Sequence, residues 1–214
     1  MSLQNRMSPW GSIVAASTRG LFTGNRGIIH DPETKTLLRR RWTTKAWIIC
    51  VCSFKERRRD VMGYNGRNGK AGWTELFFLD EVTALAAGHR PCFYCQRERA
   101  QAFLRCFASG QGRGGIAAPE MDTVLHRERR ASGGTGVQVA PAALAELPEG
   151  TMIERHGEAY AWRRGRLLPW RFEGYGAEQK PNEVDGAFVL LTPPATVAAL
   201  RQGFTPVWHP SAGS

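Results

Sequence analysis

The alternation of apolar and polar positions predicts β-strands in the first third of the chain. Residues 47–54 are rich in β-branched and aromatic side chains, and residues 73–79 form a second apolar run. We expect the two strands to pair as a hairpin. Alternation along the first strand places Cys50 and Cys52 on the same face of the sheet.

The middle of the chain changes to a helical pattern. Asp80 is a typical N-cap for a short helix over 81–87, and Gly88 supplies the left-handed residue that ends such a helix. Apolar residues at helical spacing predict a second helix over 96–108. A third helix, with proline at its first position, is predicted over 119–130.

The pattern returns to strands beyond a Gly- and Ser-rich linker at residues 131–136. Two-residue turns between short apolar runs predict a β-meander, followed by a further strand and a helix capped by Thr192; these elements are 151–155, 158–163, 166–171, 187–191 and 193–202. We therefore predict an α+β protein with a basic α+β region over 1–130 and a smaller β-rich module over 137–214.

Composition narrows the class of protein. Apolar residues make up 42% and charged residues 22% of the 214 positions, as in globular proteins rather than disordered chains. No apolar run is long enough to cross a membrane, so no membrane partner is expected. The start of the chain lacks the pattern of a signal peptide, and five cysteines are too few for a disulfide scaffold. These features predict a cytoplasmic protein with reduced thiols.

Positive charge is concentrated in one segment. The chain carries a net charge of +10, and residues 31–70 hold 11 Lys and Arg against four acidic residues. Such a segment attracts polyanions, nucleic acid first, although a solvated basic face without a partner is the alternative. The aromatic residues Trp42, Trp47 and Tyr64 within it could stack on bases. The candidate phosphate contacts are Arg39, Arg40, Arg41, Arg57, Arg58 and Arg59.

The sharpest chemical signal is the pair Cys92-x-x-Cys95. Two thiolates at this spacing can bind one Zn²⁺ ion at about 2.3 Å each. A redox dithiol is less consistent with the sequence, because the motif lies between two predicted helices rather than after a strand of a βαβ unit. Two ordinary core cysteines remain the other alternative. We predict that zinc staples the hairpin of the first region to its helices.

The stretch around this pair, FFLDEVTALAAGHRPCFYCQ at residues 77–96, resembles the second half of the metal-binding domain of the Ada-type DNA methylphosphotriester repair proteins. The shared pattern is an aromatic strand end, a short A-L-A-A-G helix and R-P-C-x-x-C. The resemblance implies that Cys92 and Cys95 bind zinc, that Arg90 contacts a nucleic-acid backbone, and that the protein binds DNA in connection with repair. That family has a first cysteine pair upstream, which includes its methyl-accepting cysteine. Residues 60–73 contain no cysteine, so methyl transfer is not implied.

The remaining zinc ligands must come from elsewhere in the chain. Cys50 and Cys52 complete our leading ligand set, which closes a structural four-cysteine shell. Side chains two apart on one strand are separated by about 7 Å, so joint ligation requires a bend in the strand. Cys106 and His126 are the reserve ligands.

Catalysis has its own candidates. Asp122 and His126 are four apart on a predicted helix and share a face, an arrangement that can bind a catalytic metal or orient a general base. His30 is a third candidate, and the loop over 24–27 could cradle a phosphate. The leading hypothesis is a zinc-containing nucleic-acid-binding protein, with DNA as the expected nucleic acid. A metal-dependent nuclease or other DNA-processing enzyme, and a zinc-stabilised protein-interaction module, are the alternatives.

Overall fold

Two six-stranded sheets organise the fold in the computed structural model of the chain, which describes residues 2–55, 59–184 and 186–213. The strands are β1 (Gln4–Met7), β2 (Ile13–Ala15), β3 (Phe22–Asn25), β4 (His30–Asp31), β5 (Thr36–Leu37), β6 (Ile48–Val51), β7 (Leu76–Phe78), β8 (Arg90–Pro91), β9 (Gln138–Val139), β10 (Met152–Arg155), β11 (Glu158–Arg163), β12 (Arg166–Arg171), β13 (Gly174–Tyr175) and β14 (Phe188–Leu190). The α-helices are α1 (Glu81–Ala86), α2 (Arg97–Gly110), α3 (Ala118–Glu128) and α4 (Pro194–Arg201). The predicted α+β class is confirmed.

The first sheet is mixed and has the order β2-β1-β7-β3-β6-β8. The predicted pairing of the strands at 47–54 and 73–79 is wrong, because β3 lies between β6 and β7 and pairs antiparallel with both. Gly24 in β3 explains this placement: a Cβ there would lie 2.1 Å from the backbone oxygen of Ile48. Glycine at position 24 therefore permits the close approach of the two backbones. Because glycine has a low strand propensity, the sequence pattern does not indicate a strand at this position.

The second sheet is antiparallel, in the order β13-β12-β11-β10-β14-β9. It contains the predicted meander, which is confirmed. His156 and Gly157 have φ of 50° and 77°, and Arg164 and Gly165 have φ of 49° and 71°. Positive φ at both central residues is what a type I′ hairpin requires, so each turn sets the register of its strands.

The helices are close to their predicted bounds. Asp80 caps α1 by accepting a hydrogen bond from the backbone N–H of Thr83 at 2.8 Å. The predicted cap of the last helix is wrong: Pro193 occupies the N-cap of α4, and the hydroxyl of Thr192 accepts a hydrogen bond from the backbone N–H of Met152. Thr192 therefore connects the start of α4 to β10 instead of capping the helix N-terminus.

Apolar clusters contain residues from both sides of the predicted linker at 131–136. The cluster between the first sheet and the helices includes Leu200 and Phe204. A second cluster joins Val82 of α1 to Trp170 of β12. A third covers the opposite face of the second sheet. The division at the linker stays a prediction, but the packing connects the two parts through α1 and α4.

None of the helices in the described part of the chain combines the length and the apolar character that crossing a membrane requires.

A group of cationic and aromatic side chains, the Trp47 cluster (Arg26, Trp47, His89 and Arg129), is almost completely buried. The guanidinium carbons of Arg26 and Arg129 lie 3.6 Å and 4.1 Å from the centre of the Trp47 ring. The His89 ring contacts Trp47, and its Nε2 accepts a 3.4 Å hydrogen bond from Nε of Arg26. Burial, together with both arginines, holds the pKa of His89 well below 6.5.

We expect the free energy of unfolding to decrease as the pH falls from 6.5 to 5. In that range the unfolded chain binds a proton at His89 that the folded chain excludes, so stability present above pH 6.5 is lost on acidification. One such group contributes up to about 1.4 kcal/mol per pH unit. Burial also lowers the pKa of His126, which contributes in the same direction.

Urea unfolding of the wild type and of His89→Gln at pH 7.5, 6.5 and 5.5 measures this dependence, and the variant should show a smaller loss. His156→Asn, at an exposed turn where positive φ suits asparagine, is the control and should follow the wild type. Identical pH dependence of the wild type and His89→Gln would contradict the expectation.

Candidate metal centre

Three cysteines from distant parts of the sequence converge on one point. The Sγ atoms of Cys50, Cys92 and Cys95, the cysteine cluster, all lie within 4.8 Å of one another. Two sulfurs bound to one tetrahedral zinc ion at about 2.3 Å lie about 3.8 Å apart, so small side-chain rotations would bring these thiols to that spacing. The cysteine cluster can therefore hold a metal ion.

Backbone pairing between β6 and β8 creates the cluster. β8 runs parallel to β6, with Arg90 opposite Ile48. The backbone N–H of Cys92 and the side-chain amide of Gln96 both donate to the backbone oxygen of Ile49, each at 2.9 Å. These bonds fix the turn that begins with Cys92 against the edge of the sheet, and they place its two thiols beside Cys50.

Hydrogen bonding among the three thiols shifts their pKa values in opposite directions. Hydrogen bonds from Cys50 and Cys95 lower the pKa of Cys92, and the backbone N–H of Tyr94 donates to the same sulfur at 3.4 Å. Hydrogen bonding to Cys92 correspondingly raises the pKa of Cys50. Cys92 is therefore the first thiolate, and a metal ion must displace protons from its neighbours.

Cys52 does not join the cluster, although the alternation of the strand predicted that it would. β6 ends at Val51, and the exposed Cys52 donates instead to the backbone oxygen of Leu21 at 3.4 Å. The reserve ligands also lie elsewhere: Cys106 contacts the backbone oxygen of Gln202, and His126 packs against Trp42. Among the described residues, the predicted four-ligand shell is reduced to three cysteines.

The cysteine cluster lies at a cleft of about 450 Å³. Thr23 of β3 also lines this cleft, together with the aromatic side chains of Phe54, Trp73 and Tyr94. Glu75 is another lining residue that the sequence analysis missed, although a charged residue inside the apolar run 73–79 was a usable signal. Its carboxylate accepts from Nε of Arg59 at 2.6 Å and from the backbone N–H of Met62 at 2.8 Å. Glu75 therefore holds the segment 59–62, of which Arg59 and Val61 also line the cleft.

Arg90 and Asp122 have structural roles in place of the predicted ones. Arg90 is only 7% exposed and donates two hydrogen bonds, of 3.0 and 2.9 Å, to the carboxylate of Asp122. The paired guanidinium is not available to a nucleic-acid backbone, which corrects the role implied by the resemblance. Both carboxylate oxygens of Asp122 accept hydrogen bonds from Arg90, so Asp122 does not form a catalytic pair with His126.

His30 is also buried, and its Nδ1 lies 2.6 Å from the hydroxyl of Thr74. Each of the predicted catalytic residues thus has a separate partner: His30 has Thr74, Asp122 has Arg90, and His126 packs on Trp42. The described residues do not bring the three together as a metal site.

The predicted phosphate contacts fall into three groups. Arg39, Arg40 and Arg41 are exposed in the loop between β5 and β6. Arg59 pairs with Glu75 and stacks on Trp73, with its guanidinium carbon 4.1 Å from the ring centre. Arg57 and Arg58 lie outside the described residues.

The three aromatic residues of the basic segment differ in their exposure to solvent. Trp42 and Tyr64 are 39% and 56% exposed, so their rings are accessible. Trp47 is completely buried, so the expectation that it stacks on bases is wrong.

Comparison of the chain with protein-family models, with curated proteins and with solved structures finds no match.

Proposed function

We propose that this chain is a zinc-containing nucleic-acid-binding protein that binds DNA in the cytoplasm. The observation that carries the proposal is the cysteine cluster, which unites a strand of the basic segment with the Cys92-x-x-Cys95 turn. The resemblance of residues 77–96 to a DNA-repair metal domain supports the same assignment.

Zinc is the ion that fits the donors best. Thiolate ligands select soft or borderline metals, and a compact set of sulfurs is typical of zinc sites. All five cysteines are free thiols. Zinc at Cys50, Cys92 and Cys95 would tie β6 to the start of α2 and so fix the position of the loop that precedes β6.

That loop supplies the phosphate contacts of the proposal. Arg39 and Arg40 are exposed and line an open depression, and the partly exposed Trp42 follows them. Exposed arginines provide donors for phosphate oxygens, and an adjacent aromatic ring can stack on a base. Binding driven by phosphates releases counterions and is therefore sensitive to salt.

We expect the protein to bind a 20-base-pair DNA duplex with an affinity that decreases linearly with salt on a logarithmic scale. Arg39→Gln with Arg40→Gln should weaken binding and reduce the slope by about 1.8, because each lost phosphate contact removes about 0.9. Fluorescence anisotropy at several salt concentrations measures both quantities. The same measurement with an RNA duplex compares the two nucleic acids.

The control for this experiment is Arg105→Gln with Arg201→Gln, which removes the same charge from exposed positions on α2 and α4. This variant should keep the wild-type slope. A slope that does not change in the Arg39 and Arg40 variant, or binding that is indifferent to salt, would overturn the proposal.

A second candidate function is a DNA-processing enzyme that uses the metal. Catalytic zinc sites have three protein ligands and leave the fourth position to water or substrate. The three cysteines lie at a cleft with aromatic walls, and this observation favours the second candidate. Strand breaks or altered bases in DNA recovered from the binding experiment would support it.

A further inference from the structure

A second cleft, of about 480 Å³, lies where the turn between β1 and β2 meets the segment that follows α3. Three arginines line it: Arg26, Arg41 and Arg130. Among the described residues that line this cleft, none carries a carboxylate. Its lining is therefore strongly cationic.

Arg26 is the buried member of the three, with only 1% of its surface exposed. Its Nη1 donates to the backbone oxygen of Gly11 at 3.0 Å, and its Nε faces His89. Among the described residues, Nη2 of Arg26 has no hydrogen-bond partner. A buried donor without a partner is costly, so this atom points to a ligand that the protein itself does not supply.

Gly11 allows the chain to approach this guanidinium. Its φ is +83°, and a Cβ at this position would lie 3.1 Å from Nη2 of Arg26 and 2.6 Å from the Cβ of Ala131. A side chain at position 11 would therefore crowd Nη2 of Arg26 at the cleft.

The interior beneath the cleft carries an excess of positive charge. The guanidiniums of Arg26, Arg90 and Arg129 are all buried. The carboxylate of Asp122 pairs with Arg90 through two hydrogen bonds. Burial and the neighbouring Arg129 together lower the pKa of Arg26. Buried charges without counterions are expensive, and an anion next to Arg26 would offset that cost.

The rim of the cleft adds two more guanidiniums. Nη1 of Arg130 is 3.5 Å from the carboxylate of Glu154 but makes no hydrogen bond among the described residues. The same carboxylate oxygen accepts from Nε1 of Trp10 at 2.6 Å. Arg41 is exposed and donates from Nη1 to the backbone oxygen of Leu38, which leaves its other donors for a ligand.

We propose that this cleft binds a phosphate group, held by Arg26 from below and by Arg41 and Arg130 at the rim. Guanidinium groups match the oxygens of a phosphate in pairs, and three around one cleft can surround a tetrahedral anion. The site is separate from the Arg39–Arg40 depression and from the cysteine cluster. It does not depend on the proposed binding of nucleic acid.

Thermal unfolding of the full, zinc-loaded chain in sodium phosphate tests the site, with sodium chloride at equal ionic strength as the reference. We expect the Tm to rise with phosphate and to saturate. Phosphate also stabilises proteins by exclusion from their surface, so the variants decide the outcome. Arg41→Gln with Arg130→Gln should raise the half-saturating concentration at least about tenfold, the effect of losing roughly 1.4 kcal/mol of binding.

Arg105→Gln with Arg201→Gln removes the same charge away from the cleft and should leave the half-saturating concentration unchanged. Arg41 is exposed and Arg130 is partly exposed, so the double variant should fold like the wild type. The buried Arg26, whose replacement could prevent folding, is left unchanged. An equal rise of Tm in the Arg41 and Arg130 variant and the wild type would overturn the site. So would a Tm that follows ionic strength alone.

Dimethyl phosphate separates the two sources of the anion. Competition between dimethyl phosphate and inorganic phosphate would support a site for the diester backbone of a nucleic acid. Binding of inorganic phosphate alone would support a site for free phosphate or a monoester. The phosphate site and DNA binding are tested independently, because the latter is measured with the Arg39 and Arg40 variant.

Discussion

Replacement of Cys92 by serine is expected to remove one equivalent of zinc and to destabilise the chain severely. Structural zinc sites contribute about 10–16 kcal/mol of apparent binding free energy in small metal-dependent domains. That is as large as the whole stability of a typical domain, about 5–15 kcal/mol. Cys50→Ser should have the same effect, because both thiols belong to the cysteine cluster. Metal analysis of the purified proteins, with thermal unfolding followed by circular dichroism, measures the two effects.

Cys52→Ser and Cys106→Ser are the matched controls. Both thiols contact backbone oxygens outside the cluster, so these variants should retain one equivalent of zinc. Wild-type protein that is free of metal and keeps its Tm in a strong chelator would contradict the metal centre. Loss of zinc in Cys52→Ser would show that the shell has a fourth cysteine.

The cobalt-substituted protein separates the two kinds of zinc site. If the fourth position is open, an added small thiol should enter it and change the visible absorption of the cobalt ion. If the protein closes the shell, the spectrum should stay constant. The first result favours the enzyme, and the second favours a structural ion in a nucleic-acid-binding protein.

The elements that sequence reasoning predicted correctly are those fixed by local interactions. The hairpin turn His156-Gly157 needs positive φ at two adjacent positions, and the sequence carries residues suited to it. Asp80 likewise caps α1 through a hydrogen bond to a residue only three positions away. In both cases a few neighbouring residues determine the conformation, so tertiary context does not change the result.

The errors arise where a residue's partner is distant in sequence. Cys50 and Cys52 are equivalent in the alternating pattern, but the strand ends between them, and only Cys50 faces the Cys92 turn. Arg90 resembles a surface contact until α3 packs beside it and supplies Asp122. Long-range packing selects between such alternatives, and it leaves no periodic signal in the chain.

The buried Arg26 illustrates the same limit at the second cleft. The loop at 24–27 contains Arg26 and was predicted to cradle a phosphate, but the sequence does not show that Arg26 turns inward. Its neighbours in space, Arg129 and Gly11, come from opposite ends of the first region. Only the folded chain brings the charges of Arg26 and Arg129 together on the Trp47 ring.

Asp80→Ala is expected to destabilise the whole molecule by at least about 4 kcal/mol, since a lost N-cap costs about 1 kcal/mol and each of the three further donors left without a partner costs at least about 1 kcal/mol. The buried carboxylate of Asp80 accepts hydrogen bonds from the backbone and hydroxyl of Thr83, at 2.8 and 2.7 Å. It also accepts from the hydroxyl of Tyr175 at 2.8 Å and from the backbone N–H of His209 at 3.1 Å. One side chain thus joins α1 to two segments of the C-terminal part.

The form of the unfolding transition tests the organisation of the chain as well as the size of the effect. Because Asp80 connects both sides of the linker at 131–136, we expect Asp80→Ala to unfold in a single transition at a lower urea concentration than the wild type. Asp80→Asn, which keeps the size of the side chain and one carbonyl oxygen as an acceptor, should lie between the two. Tryptophan fluorescence and circular dichroism should report the same midpoint. Two separate transitions, one of them unchanged from the wild type, would instead show that the regions at 1–130 and 137–214 fold independently and that Asp80 serves only its own helix.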